Sequence, residues 1–129
     1  MRLLLDTHVA IWALTDPRRI GREVIPLLTD PGNSLHVSAI SVLEISIKHR
    51  LGKRGAPPFS GREAIRHFAD AGFSVLNVSA EHAAAVEELP MLHGDPFDRL
   101  LAAQARSEPM RLVTRDSALA AYSDTTITW

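Results

Sequence analysis

The run of residues 93–105 places an acidic side chain on the apolar side of a predicted helix. Its first residues are typical of a helix start, because Asp95 suits the N-cap, Pro96 the first helical position and Asp98 the third. The residues three, four and seven positions beyond Asp98 are apolar, namely Leu101, Ala102 and Ala105. A carboxylate on that side of a helix is costly unless it is paired or bound to a cation. The run therefore indicates a charged site beside the core.

Three further acids occupy comparable positions. Asp6 directly follows a short apolar run that predicts a buried strand, and Asp116 follows another, at residues 111–114, after Arg115. Glu44 lies on a predicted helix among apolar residues of the same side, namely Ile40, Ile47 and Leu51. Ligands of open parallel sheets bind at the carboxyl ends of the strands. We therefore expect the four acids to converge on one edge of a sheet.

Such a cluster of like charges persists only if it is protonated or neutralised by a cation. Oxygen ligands select a hard divalent ion, Mg²⁺ or Mn²⁺. A carboxylate-held Mg²⁺ with open water positions suits phosphodiester hydrolysis, because it activates water, orients the phosphate and offsets developing charge. The joint pattern of acids predicts this chemistry, although each acid alone is a weak signal.

Each acid also has a purely structural interpretation. A helix cap is the alternative for Asp6 and for Asp116. Glu44 is spaced to pair with Lys48 one turn along its helix. Asp98, in a first helical turn, would complement the helix dipole.

Short apolar runs alternate with helical segments along the whole chain. Strands are predicted at residues 2–5, 35–38, 73–78 and 111–114, and residues 125–128 form a candidate fifth strand. Helices are predicted at residues 8–14, 20–29, 62–70, 80–89 and 117–122, from Ser38 or Ser41 to Leu51, and after Asp95. No hairpin turn chemistry separates the strands. We therefore expect one α/β domain over residues 1–129, with a central parallel sheet of four to five strands and helices on both faces.

The charge of the chain is unevenly distributed, although its net value is only −1. Between Lys48 and Arg66 the only acid is Glu63, whereas basic residues are frequent. The densest part of this basic segment holds Lys48, Arg50, Lys53 and Arg54, which are candidates for contacts to a nucleic-acid backbone. The alternative for such a run is a solvated surface.

Several other classes of protein are disfavoured. Cysteine is absent, which removes disulfides, thiolate nucleophiles and cysteine metal sites. The six histidines include no pair at helical spacing, so a helical zinc site is not expected. No apolar run is long enough for a membrane span and no signal peptide is visible, so a cytoplasmic protein that does not contact membranes is expected.

Four motifs, taken in order, resemble those of a PIN domain. They are LLLDTH at residues 3–8, SVLEI at 41–45, DPFDRLLAAQA at 95–105 and LVTRD at 112–116. The resemblance covers nearly the whole chain and is closest to the VapC-type toxins of bacterial and archaeal toxin–antitoxin pairs. It implies a three-layer α/β/α sandwich and an Mg²⁺-dependent endoribonuclease, with Mn²⁺ as a substitute ion, that leaves a 5′-phosphate and a 3′-hydroxyl. It also implies an RNA substrate, a cognate VapB-type antitoxin and a homodimer.

The resemblance also implies roles for particular residues. The acidic quartet would be Asp6, Glu44, Asp98 and Asp116, of which Asp6 and Asp98 are the firmest metal ligands and Asp116 a third. Thr114 matches a hydroxyl position that is often found beside the last acid. Either Asp95 or Asp98 matches the third acid, and the helix argument above selects Asp98, with Asp95 as a cap.

Two rival functions follow from the same residues. The first is a PIN-like module that binds RNA or a protein without cutting, although such a module has no need of unpaired carboxylates on core-facing helix positions. The second is a phospho-receiver or phosphatase with Asp6 as nucleophile. It is disfavoured because Asp6 is followed by Thr7 and His8 rather than by a second acid, and because no lysine follows the predicted fourth strand.

Overall fold

Four parallel strands form one sheet in the computed structural model, which describes residues 1–129. The strands are β1 (Arg2–Leu5), β2 (Ser34–Ser38), β3 (Ser74–Leu76) and β4 (Arg111–Val113). Their order across the sheet is β3-β2-β1-β4. The order therefore reverses at β1, which has β2 on one side and β4 on the other. Ligand sites of open α/β sheets lie at such a reversal, outside the carboxyl ends of the strands.

Strand β1 lies in the middle of the sheet, and this explains its continuous run of leucines. It pairs Leu5 with Val37 of β2 and with Val113 of β4. Successive side chains point to opposite faces, so Leu3 and Leu5 join one hydrophobic cluster whereas Leu4 joins the other. A strand covered on both faces is apolar throughout rather than alternating.

Seven α-helices connect and cover the strands. They are α1 (Thr7–Thr15), α2 (Ile25–Thr29), α3 (Ala39–Leu51), α4 (Gly61–Asp70), α5 (Ala80–Ala85), α6 (Pro96–Ser107) and α7 (Ser117–Ala120). Residues of α1, α3 and α4 pack on one face of the sheet, and residues of α6 and α7 pack on the other. The arrangement is the three-layer α/β/α sandwich that the sequence resemblance implies. No helix is both long enough and apolar enough to span a membrane.

Helix boundaries follow the expected capping chemistry. Asp6, Asp95 and Asp116 each accept a backbone N–H in the first turn of the helix they precede. Ser38, rather than Ser41, caps α3, and Gly52 ends that helix with a left-handed φ of 62°.

Some predicted elements differ from the structure. Of the helix expected at residues 20–29 only the short helix α2 forms, with Pro26 at its N-terminal end, and a separate 3₁₀ turn, Pro17–Arg19, precedes that stretch. The helix expected at residues 80–89 ends as α5 at Ala85 and is followed by a 3₁₀ turn, Val86–Glu88. The candidate fifth strand is reduced to one parallel bridge between Val113 and Ile127. The sheet thus has four strands, extended at the β4 edge by a single residue pair.

The buried side of α3 also differs from the prediction. Ile47 and Leu51 are 42% and 61% exposed, so they do not belong to the core. The buried positions of this helix are Ser41, Glu44 and Ile45. Glu44 is therefore buried as predicted, but on a partly polar side of the helix.

Helix α4 carries one buried and one exposed large apolar side chain, and comparing them tests how the core is packed. Phe68 is fully buried and stacks on Phe73 with ring centroids 6.1 Å apart, whereas Ile65 on the same helix is 48% exposed. Phe68→Ala should lower the free energy of unfolding by about 3–5 kcal/mol, because it removes buried surface and leaves a cavity. Ile65→Ala should change the same quantity by less than about 1 kcal/mol. Urea denaturation measures both, and similar losses in the two variants would contradict this packing.

Candidate active site

Asp6 lies at the carboxyl end of β1 and is only 5% exposed. Its Oδ1 accepts a hydrogen bond from the Val9 N–H at 2.8 Å, and its Oδ2 accepts a hydrogen bond from the hydroxyl of Thr114. Burial raises the pKa of Asp6, although these two hydrogen bonds and the charge of His8 oppose the rise. Asp6 therefore both caps α1 and presents a buried carboxylate at the edge of the sheet.

Thr114 connects the ends of two adjacent strands. It follows β4 and is fully buried. Its hydroxyl donates to Asp6 and accepts the backbone N–H of Asp116 at 3.0 Å. The carboxylate that follows β1 and the one that follows β4 are thus linked through a single side chain.

Glu44 reaches the same edge from α3 and is 5% exposed. The Thr7 hydroxyl lies 2.8 Å from Glu44 Oε1 and 2.8 Å from the hydroxyl of Ser41. Lys48 donates from Nζ to Glu44 Oε2 at 2.5 Å, which is the pairing one turn along the helix that the sequence allowed. Burial and ion pairing, which were alternatives in the sequence, therefore occur together.

Asp98 and Asp116 meet at a histidine. Nε2 of His93 lies 3.0 Å from Asp98 Oδ2 and 3.0 Å from Asp116 Oδ2. Ligand atoms of these three residues all lie within 4.8 Å of one another. Asp6 and Glu44 are not members of this group, although their charges contribute to the pKa of Asp98.

The sequence argument assigned no function to His93. It lies in the connection before α6, outside any periodic segment, and its partner Asp116 is 23 residues away. Its position two residues before the capping Asp95 was the only available signal. The structure thus adds a histidine to a site that was predicted from carboxylates alone.

The electrostatics of the site single out Asp98. Burial and the charges of Asp95, Asp6 and Glu44 raise the pKa of Asp98 to about 6, and His93 opposes the rise. Burial also acts to raise the pKa of Asp116. At Asp116, however, the hydrogen bonds from His93 and from backbone N–H groups of α7 outweigh burial, and the pKa of Asp116 is lowered.

Asp98 is the one acid of the quartet whose carboxylate receives no hydrogen bond from the chain. Both oxygens of Asp6 and both of Glu44 accept hydrogen bonds. Asp116 Oδ1 accepts two N–H groups of α7, and its Oδ2 faces His93. Asp98 Oδ2 faces His93, which leaves Asp98 Oδ1 free. A free carboxylate oxygen among mutually repelling acids fits a hard divalent cation.

The remaining predicted residues have clear positions. Asp95 caps α6 by accepting the Phe97 N–H at 2.8 Å, and it is not part of the group around His93. Three basic residues, Arg50, Lys53 and Arg54, are exposed at and beyond the end of α3. Lys48 differs from these three residues, because its ammonium group forms an ion pair with Glu44.

A groove of about 460 Å³ leads up to Glu44 and Lys48 between α1 and residues 55–58. Trp12 lines it, and the guanidinium of Arg19 lies 4.6 Å from the centroid of the Trp12 ring system. Trp12 is partly buried and lies beside this cation. Of the four acids only Glu44 lines the groove, so the groove leads to that carboxylate.

Comparison with known proteins identifies the family. A model of the PIN domain matches residues 3–124. The chain belongs to the PIN domain family. It is 30% identical over 123 residues to Ribonuclease VapC22 of Mycobacterium tuberculosis, an alignment that covers 93% of this chain and 91% of that protein.

Solved structures agree with this PIN domain fold. VapBC2 from Rickettsia felis, bound to a DNA fragment from its promoter, matches with a TM-score of 0.71 at 18% identity and covers 100% of this chain and 98% of that chain. VapBC-1 from nontypeable Haemophilus influenzae matches with a TM-score of 0.65 at 17% identity, covering 100% and 97%. The resemblance noted in the sequence and the predicted fold class are confirmed.

The raised pKa of Asp98 has a consequence for stability. The group gains protons on folding between its ordinary pKa and about 6, so the free energy of unfolding should fall as the pH rises through that window. Asp98→Asn should therefore stabilise the metal-free protein at pH 7 by about 1–3 kcal/mol, and this gain should shrink below pH 5. Thermal denaturation in EDTA at several pH values measures the difference.

Asp95→Asn is the matched control, because asparagine caps helices about as well as aspartate. It should raise the melting temperature at pH 7 by less than Asp98→Asn does, because it removes only one of the charges that raise the pKa of Asp98. A loss of stability in Asp98→Asn at pH 7 would contradict the electrostatic argument.

Proposed function

We propose that this PIN domain is a VapC-type endoribonuclease toxin that hydrolyses RNA with the help of a divalent cation. The observation that carries the proposal is the free Oδ1 of Asp98, a carboxylate with its pKa raised to about 6 beside Asp6 and Asp116. The 30% identity to Ribonuclease VapC22 supports RNA as the substrate.

Asp6, Asp98 and Asp116 would hold the cation, which we propose to be Mg²⁺ with Mn²⁺ as a substitute. When bound, such an ion lowers the pKa of water, orients the phosphate and offsets the charge of the transition state. Asp6 and Asp116 are already held in place by hydrogen bonds, which suits them to this role because little reorganisation is needed when the ion binds.

The chain's own residues prepare the attack. Thr114 fixes Asp6 relative to Asp116, and Thr7 fixes one oxygen of Glu44. Glu44 orients the attacking water, whose oxygen gives up a proton and forms a bond to phosphorus while the bond from phosphorus to the 3′-oxygen breaks and that oxygen takes up a proton from solvent. The products carry a 5′-phosphate and a 3′-hydroxyl.

Lys48 has a more specific role in this proposal than the backbone contact predicted from the sequence. Its ammonium group lies 2.5 Å from Glu44 Oε2 and is about half exposed. It therefore holds Glu44 and adds positive charge where the phosphate arrives. Arg50, Lys53 and Arg54 remain candidates for contacts to the RNA backbone, since they are exposed and directly precede residues 55–58, which line the groove.

A VapB-type antitoxin is the proposed protein partner, since the similar solved structures are VapBC complexes. Exposed apolar side chains support a protein interface on the outside of α3 and α4: Leu43, Ile47, Leu51 and Ile65. A homodimer and a cytoplasmic location complete the proposal, on the resemblance to VapC-type toxins.

The two rival functions are disfavoured on different grounds. A binding module gains nothing from a partly buried carboxylate that the other acids repel. A phospho-receiver or phosphatase with Asp6 as nucleophile is disfavoured because Thr7 and His8, rather than a second acid, follow Asp6.

Cleavage of a mixed RNA pool tests the proposal directly. The purified, antitoxin-free protein should cut RNA with Mg²⁺ or Mn²⁺ and lose this activity in EDTA. Asp98→Asn should lower the cleavage rate by at least about a hundredfold, because it removes a charged ligand. Asp95→Asn should retain the activity, since its role is that of a cap. Cutting that persists in EDTA, or equal loss in the two variants, would contradict the proposed site.

Salt dependence tests the basic residues. RNA binding, measured in EDTA to prevent cleavage, should weaken as salt increases because phosphate contacts release counterions. Replacing Arg50, Lys53 and Arg54 together by glutamine should make the slope of log K against log salt shallower by about 2. The control removes the same charge elsewhere, at Arg18, Arg22 and Arg106. Equal changes in slope for both triple variants would show that only net charge matters.

A further inference from the structure

His93 is held at three points besides its covalent neighbours. Its backbone N–H donates to the Tyr122 hydroxyl at 3.0 Å, and its ring nitrogen Nδ1 accepts the Asp95 N–H at 3.1 Å. Its other ring nitrogen, Nε2, lies 3.0 Å from an oxygen of Asp98 and 3.0 Å from an oxygen of Asp116. The ring is thus fixed in both position and orientation between two carboxylates.

The contact with Asp95 decides which ring nitrogen carries hydrogen. A nitrogen that accepts an N–H uses its lone pair and carries no proton, so Nδ1 is the bare nitrogen and Nε2 carries the hydrogen. Nε2 therefore donates its hydrogen bond to Asp116 Oδ2 and lies 3.0 Å from Asp98 Oδ2. A nitrogen that bears hydrogen has no lone pair to offer a metal ion. In this arrangement His93 is a donor to the acids rather than a ligand.

A buried arginine stabilises the loop that carries His93. Arg99 donates from Nη1 to the carbonyl of Pro90 and to the Tyr122 hydroxyl, each at 3.1 Å, and from Nη2 to the carbonyl of Val86 at 3.0 Å. Tyr122 in turn accepts the His93 N–H. Because Arg99 follows Asp98 directly on α6, one helical turn supplies both the carboxylate and the anchor for its donor.

We propose that His93 is a positioning residue that ties Asp98 to Asp116 and thereby sets the spacing of the two carboxylates for the divalent cation. The inference rests on the proposed function, since it concerns the same site. The N–H of Nε2 donates to Asp116 Oδ2 and lies against Oδ2 of Asp98, so it offsets the repulsion between the two acids and leaves Asp98 Oδ1 as the oxygen that faces no donor. Donors of this kind around metal ligands typically affect metal affinity by 10–100-fold.

Two substitutions of His93 distinguish the contact made by Nε2 from the contact made by Nδ1. In His93→Gln the terminal amide reaches the position of Nε2 and keeps a donor for Asp98 and Asp116. In His93→Asn the shorter amide reaches only the position of Nδ1, where it still accepts the Asp95 N–H but does not bridge the carboxylates. Calorimetric titration with Mn²⁺ should give an affinity within about threefold of wild type for the glutamine variant and 10–100-fold weaker for the asparagine variant.

Further measurements distinguish the outcomes. Circular dichroism melts verify that both variants are folded, and His36→Asn, whose ring pairs only with Ser34, controls for loss of a histidine. An electron spin-echo spectrum of Mn²⁺ bound to wild type should contain no directly coordinated imidazole nitrogen. Such a nitrogen, an unchanged affinity in His93→Asn, or an equal loss in both variants would overturn the inference while the proposed function stands. If wild type binds no Mn²⁺ at all, the inference and the cation-dependent function fail together.

Discussion

Repulsion among clustered carboxylates is the constraint on which the arrangement of this PIN domain depends. Four acids from distant parts of the chain approach one edge of the sheet, where two are buried and two partly exposed, and their proximity makes their charges expensive. The fold offsets this cost with fixed donors. Thr114 donates to Asp6, Lys48 to Glu44 and His93 to Asp116, and His93 Nε2 also lies 3.0 Å from Asp98. The residues around the acids are thus as much a part of the site as the acids themselves.

The sheet order brings these groups together. Because the order reverses at β1, the strands that precede Asp6 and Asp116 are neighbours, and their register pairs Leu5 with Val113. The ladder continues one residue beyond β1, where the Asp6 N–H donates to the Val113 carbonyl at 3.0 Å. Thr114 then lies beside Asp6, within reach of its carboxylate. A one-residue slip of β4 would turn Thr114 to the opposite face and break the link between the two acids.

The sequence predicted the parts of this site that depend on local chemistry. The caps at Asp6, Asp95 and Asp116 and the buried strand β1 follow from residue types within a few positions of one another. The buried side of α3 was predicted wrongly, because Ile47 and Leu51 were assumed to face the core although they are exposed. Periodicity identifies an apolar face but does not say whether the chain itself or another molecule covers it. His93 was not assigned a role because its contacts depend on a loop and on residues far along the chain.

Asp98 shows how stability and function oppose each other in this fold. Its side chain is 21% exposed and sits among like charges, yet one of its oxygens receives no donor from the chain. An additional donor at Oδ1 would relieve the repulsion and stabilise the fold, but it would occupy the one oxygen still available for a cation. The raised pKa of Asp98 is the measure of that unrelieved cost. A bound cation would remove the cost without a further side chain, so its binding would stabilise the folded protein in proportion to its affinity.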